Sequence, residues 1–189
     1  NNDGVVDHLL IIHAGQGQEQ NPSNTDLIWS HYSGFNAITD DDVQFTDYTI
    51  VSESSPVGVI AHEIGHDLGL VDLYDTDYSS DGIGVWGLMA AGSWLPSPSH
   101  LMGFNKIQLG WVAPTIINSS NVENTLIRQL SLYPDVYKLP INEKEYFLIE
   151  NRYKQDALYD GSLPANGIII SLGCLRNARA NVVGRSRNQ

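Results

Sequence analysis

The run His62-Glu63-Ile64-Gly65-His66-Asp67-Leu68-Gly69-Leu70-Val71-Asp72 constrains this chain more than any other feature, and it reads H-E-x-x-H-x-x-G-x-x-D. Residues four apart on a helix stand one turn above each other on a single face. A helix here would let His62 and His66 offer two imidazoles to one zinc ion. Glu63 beside them is placed to take a proton from a zinc-bound water, which implies metal-assisted hydrolysis. The flanking residues agree with a helix. Ser55 suits an N-cap and Pro56 the first helical position. Val57, Ile60, Ala61, Ile64 and Leu68 recur at helical spacing and predict a buried face, with His62, Glu63 and His66 on the other side, towards a cleft. Gly69 is expected to end the helix, since glycine accepts a left-handed C-terminal turn. Asp72 then stands where the longer H-E-x-x-H-x-x-G-x-x-H signature has its third histidine, and a carboxylate oxygen is an acceptable zinc ligand. Asp67, Asp75 and Asp77 are close alternatives for that role.

Charge narrows the partners. Residues 1–105 hold 15 Asp and Glu and no Lys or Arg, whereas residues 106–189 hold 7 acids and all 10 bases. So acidic a first half argues against nucleic acid or anionic lipid as its partner. No apolar stretch reaches membrane-spanning length, so no membrane insertion is expected. One cysteine, Cys174, leaves no intrachain disulfide. Carboxylates bunch at Asp40-Asp41-Asp42 and between Asp67 and Asp81, and bunched carboxylates attract cations. The segment Asn1-Asn2-Asp3-Gly4-Val5-Val6-Asp7 has the spacing of the middle of an EF-hand loop. Asn1, Asp3 and Asp7 would supply side-chain ligands for calcium there and Val5 a carbonyl, although Leu10 replaces the usual final glutamate. Asp75 and Asp77 are candidates for calcium in the second acidic stretch. The competing readings are a polar turn and a solvated loop.

Periodicity gives a coarse α+β map. His8 to Ala14, bounded by Gly15-Gln16-Gly17, predicts a buried strand. Leu27 to His31 and Asp47 to Val51 are shorter strand candidates. Leu101 to Leu109 predicts a helix that stops at Gly110. Beyond Pro114 come strand patterns at Leu126 to Leu132, Asp135 to Leu139, Glu145 to Asn151 and Gly167 to Leu172. The expected division is residues 1–112, then a mostly β segment 113–175, then an atypical basic tail 176–189 with Arg176, Arg179, Arg185 and Arg187. That tail reads as the product of a truncated or frame-shifted gene model. With no signal peptide, and an opening inside a motif, the chain reads as a fragment or a processed core.

Several ordered blocks resemble the immune inhibitor A family of metallopeptidases, the M6 family. They are Val5 to Gly15, Ile28-Trp29-Ser30-His31, the zinc motif with Asp72-Leu73-Tyr74-Asp75-Thr76, Val85 to Trp94, Lys106 to Trp111, and Tyr146 to Arg152. The chain departs from the family at Val71, where proline is usual, and after Ile170. The resemblance implies a secreted, extracellular zinc endopeptidase with a zincin- or metzincin-like catalytic domain and protein or peptide substrates. It also implies that Met89 lies in a tight Met-turn beneath the zinc. The competing function is a non-catalytic, calcium-stabilised extracellular module derived from such a peptidase. Oligomeric state is not legible.

Overall fold

Gln44 to Ser52 is rich in β-branched and aromatic residues, which suit a pleated, half-buried surface. In the computed structural model, which describes residues 3–77, 79–118, 125–154 and 159–174, this segment is a central strand. The chain forms two compact units, residues 1–69 and 70–189, and its fold is mixed α and β.

In the first unit, β1 (Leu10–His13), β2 (His31–Ile38) and β3 (Gln44–Ser52) form a sheet in the order β1-β3-β2. β1 runs parallel to β3, and β2 runs antiparallel to it. The β2–β3 hairpin turns at the three consecutive aspartates, with Thr39 N donating to Val43 O and Thr39 Oγ1 to Asp41. Two expectations need correction here. β1 is short and largely exposed, where a buried strand was expected. Leu27 to Ser30 is not strand; the strand begins at His31 and runs on through Gly34, Asn36 and Ala37. Pairing with β3, with a register shift between Gly34 and Ala37, carries those weak strand formers.

Helix α1 (Val57–Asp67) follows β3 directly. Pro56, with φ −57°, is the N-cap residue, so the helix starts one residue later than expected. Ser55 does not cap it, because its hydroxyl donates to Glu19 Oε1 and accepts from Ser52 N. Glu19 also accepts from Ser30 Oγ at 2.6 Å and Ser30 N at 3.1 Å. Burial works to raise the Glu19 pKa, and these hydrogen bonds outweigh it, so the group sits below the ordinary carboxylate value. The helix ends as expected: Gly69, at φ +87°, donates to His66 O.

The second unit holds α2 (Gly103–Gln108), β4 (Thr115–Ile116), β5 (Val136–Pro140), β6 (Glu145–Arg152) and β7 (Gly167–Cys174). Their sheet order is β4-β5-β6-β7, parallel for the first pair and antiparallel for the others. Three of the expected strands are present near their predicted limits. The stretch Leu126 to Leu132 supplies only a bridge from Gln129 to Asn151, followed by a turn. α2 is shorter than the expected helix, and Gly110, at φ +72°, follows its end. One apolar cluster gathers Leu70, Leu73, Ile83, Met89, Ala90, Leu101 and Met102. A second gathers Val112, Leu130, Val136, Tyr146 and Leu148. The basic tail lies outside the described residues.

Along β6 the buried positions alternate as Tyr146, Leu148, Glu150 and Arg152. The inward row therefore ends in two charges. Arg152 Nη1 meets Glu150 Oε1 at 3.4 Å, and Arg152 Nη2 donates to Asp160 Oδ1 and, at 3.3 Å, to His100 O. Glu150 Oε2 accepts from Gly103 N at 2.6 Å, which ties α2 to the sheet. Nearby, Lys106 Nζ donates to Leu130 O at 2.8 Å. Burial raises the Glu150 pKa and lowers that of Lys106. His100 is pushed down to about 4, first by burial and then by the Lys106 charge. This buried ionic group escaped the sequence reading, although charges at alternate positions of a strand were its signal.

Candidate metal centre

The buried residues of α1 are Gly58, Val59, His62, Glu63 and Gly65. This reverses the expected polarity. Val57 is 65% exposed, Ile64 36% and Leu68 42%, whereas His62 and Glu63 are 9% and 8% exposed. Helical spacing correctly groups the apolar residues along one side, but periodicity cannot say which side packs. Gly58 and Gly65 lie among the buried positions of the His62–Glu63 side.

The two histidines meet as their spacing requires. His62 Nε2 and His66 Nε2 are 3.1 Å apart, and the rings are nearly perpendicular at 89°. Two nitrogens bound at about 2.05 Å to one tetrahedral zinc stand roughly 3.3 Å apart. The observed separation therefore fits two ligands of a single ion.

The candidates for a third ligand differ in their engagements. Asp67 Oδ2 lies 2.5 Å from His8 Nδ1. Asp75 accepts from Ser79 Oγ at 2.7 Å, from Ser80 Oγ at 2.9 Å and from Asp77 N at 3.1 Å. Those hydrogen bonds, led by Ser79, hold the Asp75 carboxyl well below the ordinary range. Asp77 Oδ1 accepts from Ser79 N. Asp72 is half-buried, three residues beyond the turn at Gly69. The residue after it, Leu73, donates its N–H to Met89 O at 2.7 Å and accepts from Ile83 N at 3.0 Å. Met89 is fully buried in the first apolar cluster of its unit, in a turn where Ala90 N donates to Gly87 O.

The expected calcium ligands are not gathered. Asp3 Oδ1 accepts from Val5 N, and Asn1 lies outside the described residues. Among the described residues, neither Asp3 and Asp7 nor Asp75 and Asp77 belong to a group of three or more side chains able to share an ion. No helix among them is long and apolar enough to cross a membrane.

Comparison with known proteins assigns the chain to a class, the metallopeptidases. It belongs to the immune inhibitor A peptidase family M6, whose catalytic-domain profile matches residues 1–108. Immune inhibitor A of Bacillus thuringiensis subsp. alesti is 45% identical, over 49% of this chain and 16% of that protein. The pre-pro-metalloprotease PrtV of Vibrio cholerae serotype O1 (strain M66-2) is 42% identical, over 49% of this chain and 12% of that protein. The chain thus spans less than a fifth of either relative. Family membership implies a metal cofactor.

Proposed function

We propose that this chain carries the catalytic centre of an extracellular zinc endopeptidase, in a metzincin-like domain over residues 1–112. In this reading His62, His66 and Asp72 hold the zinc, Glu63 is the general base, and Met89 forms the Met-turn. The observation that carries it is the pair of Nε2 atoms 3.1 Å apart on one helix, with Glu63 between the two histidines. Asp72 is favoured over its neighbours because Asp67 engages His8, and Asp75 engages Ser79 and Ser80. Secretion is supported by the name of PrtV, a pre-pro-protein.

Zinc, when bound, would supply Lewis-acid polarisation and a water of lowered pKa. The chain's own residues do the rest. His62 and His66 would hold the metal through their Nε2 atoms. The Glu63 carboxylate takes a proton from the attacking water and returns it to the leaving amine, so no free hydroxide or amide anion forms. The substrates are proteins or peptides. The non-catalytic module is not favoured, because a relative matched over this region is named a metalloprotease.

The test pairs metal content with turnover of a casein substrate. The wild-type chain is expected to retain about one zinc after dialysis, given three protein ligands. Glu63→Gln should keep that zinc and lose roughly 10²- to 10⁴-fold in rate. His66→Ala should lose both. Unchanged turnover in Glu63→Gln would remove Glu63 from the mechanism.

A further inference from the structure

Asp72 stands in a stretch, residues 70–73, that is neither helix nor strand. A helix fixes His62 and His66 relative to each other, but no regular element does the same for Asp72. A functional side chain must be held within about 0.5 Å of its productive place, so tertiary contacts have to hold this one. Leu73, the next residue, supplies such a contact: its N–H donates to Met89 O at 2.7 Å. The place of Asp72 therefore follows that of the turn at Met89.

That turn is held by the segment 97–100. Leu88 N donates to His100 O at 3.4 Å, and Ser99 N donates to Gly92 O at 2.9 Å. Ser99 Oγ donates to Val85 O at 2.5 Å. The segment is gripped in turn by residues 160–162. Asp160 N donates to Pro98 O at 2.8 Å, and Gly161 N donates to Ser97 Oγ at 2.9 Å. Ser162 Oγ accepts from Ser97 N at 3.1 Å. Asp160 Oδ1 accepts from His100 N at 2.8 Å, and the same oxygen accepts from Arg152 Nη2. Arg152 Nη2 also donates to His100 O, so the Arg152–Asp160 pair engages both backbone groups of His100. Asp160 is fully buried at φ +64°, a left-handed conformation that aspartate and asparagine accept more readily than most residues. A backbone held there is fixed by the contacts around it.

With Asp72 as a zinc ligand, the reading proposed above, we infer that Asp160, oriented by Arg152, is a positioning residue for the metal centre. Through His100 and the turn at Met89 it sets where Asp72 stands. The block Tyr146 to Arg152 thereby gains a task, since Arg152 donates to the same His100 oxygen that Leu88 N reaches. Arg152 and Asp160 both lie beyond residue 112, so the centre depends on chain outside the domain that carries its ligands.

The test uses the full chain with zinc and with cobalt(II). Zinc affinity is measured by competition with a chromogenic chelator. The cobalt-loaded protein is read by its visible d–d absorption, which follows ligand geometry. Asp160→Gly removes the carboxylate and leaves the left-handed backbone unstrained. It should weaken zinc binding about tenfold, as loss of an outer-shell support does, and shift the cobalt bands. Asp160→Asn keeps an oxygen for His100 N and should restore both. Lys106→Met is the control for a general loss of stability, because it removes a buried charge whose Nζ bonds Leu130 O instead of the segment 97–100. It should leave affinity and bands as in the wild type. Ser99→Ala cuts only the tie to Val85 O and should shift the bands in the same direction as Asp160→Gly. Far-UV circular dichroism checks each fold. Zinc bound by the wild type, with affinity and bands unchanged in Asp160→Gly, would overturn the inference and leave the zinc reading intact. Equal losses in Asp160→Gly and Lys106→Met would also overturn it, as a structural role alone. If Asp160→Gly does not fold, unchanged bands in Ser99→Ala overturn it. No zinc in the wild-type chain would overturn the zinc reading, and this inference with it.

Discussion

Replacing Arg152 by Met should be the most damaging single change in the second unit that leaves the candidate metal ligands untouched. The Arg152 side chain is 0% exposed and lies between Glu150 and Asp160, each 1% exposed. Methionine fills much of the volume but supplies no charge. Two buried carboxylates would then face Lys106 as the nearest base. Breaking a buried ion pair by removing one partner costs about 3–5 kcal/mol, because the other charge stays desolvated. Whole-domain stability is about 5–15 kcal/mol, so a large fraction is lost. At roughly 2–8 °C per kcal/mol, the melting temperature should fall by about 6 °C or more. The assay is urea unfolding followed by tryptophan fluorescence, with midpoints compared at equal slope. Adding Glu150→Gln and Asp160→Asn to Arg152→Met removes the stranded charges and should recover part of the loss. The pH dependence has a definite sign. Burial raises the folded pKa of Glu150 above its ordinary value of 4.5, so the folded state takes up its proton first. Stability tied to that proton is complete below the unfolded value and is lost as pH rises through the folded one. The deficit of Arg152→Met should therefore narrow as pH falls from 7 towards 4.5. A loss below about 1 kcal/mol, the cost of an ordinary exposed pair, would refute the reasoning. So would a triple variant no more stable than the single one.

His100 gives the opposite slope. Its folded pKa of about 4 against 6.5 means that stability is lost as pH drops through that window. His100→Gln should remove up to about 3 kcal/mol of that acid-induced loss. Urea midpoints of wild type and variant at pH 7 and pH 4 measure it, and parallel pH profiles would sink the assignment. Gly82 has φ +57°, and an added Cβ would lie 2.4 Å from Leu73 O. Gly82→Ala should therefore cost about 2–4 kcal/mol from strain and overpacking. Thermal denaturation checks this, and an unchanged melting temperature would show that the loop relaxes freely.

The sequence by itself determined what depends on neighbours along the chain. Four-residue spacing brings His62 and His66 together, because helix geometry fixes that distance whatever surrounds it. Gly69 adopts its left-handed turn because no side chain opposes it. Alternation from Glu145 onward marks β6, since strand geometry imposes a period of two. The tertiary structure decided what depends on solvent and distant partners. An apolar stripe on α1 says that one side differs from the other, not which one packs, and here the His62–Glu63 side is buried. Leu10 to Ile12 looked like core by composition, yet the strand stands at an open edge. Asp67 and Asp75 matched Asp72 as ligands on paper, until His8 and the serines at 79 and 80 engaged them. Arg152, Glu150 and Asp160 are residue types that composition alone would put at the surface. Only a fold that sets them against one another can offset the cost of taking them out of water.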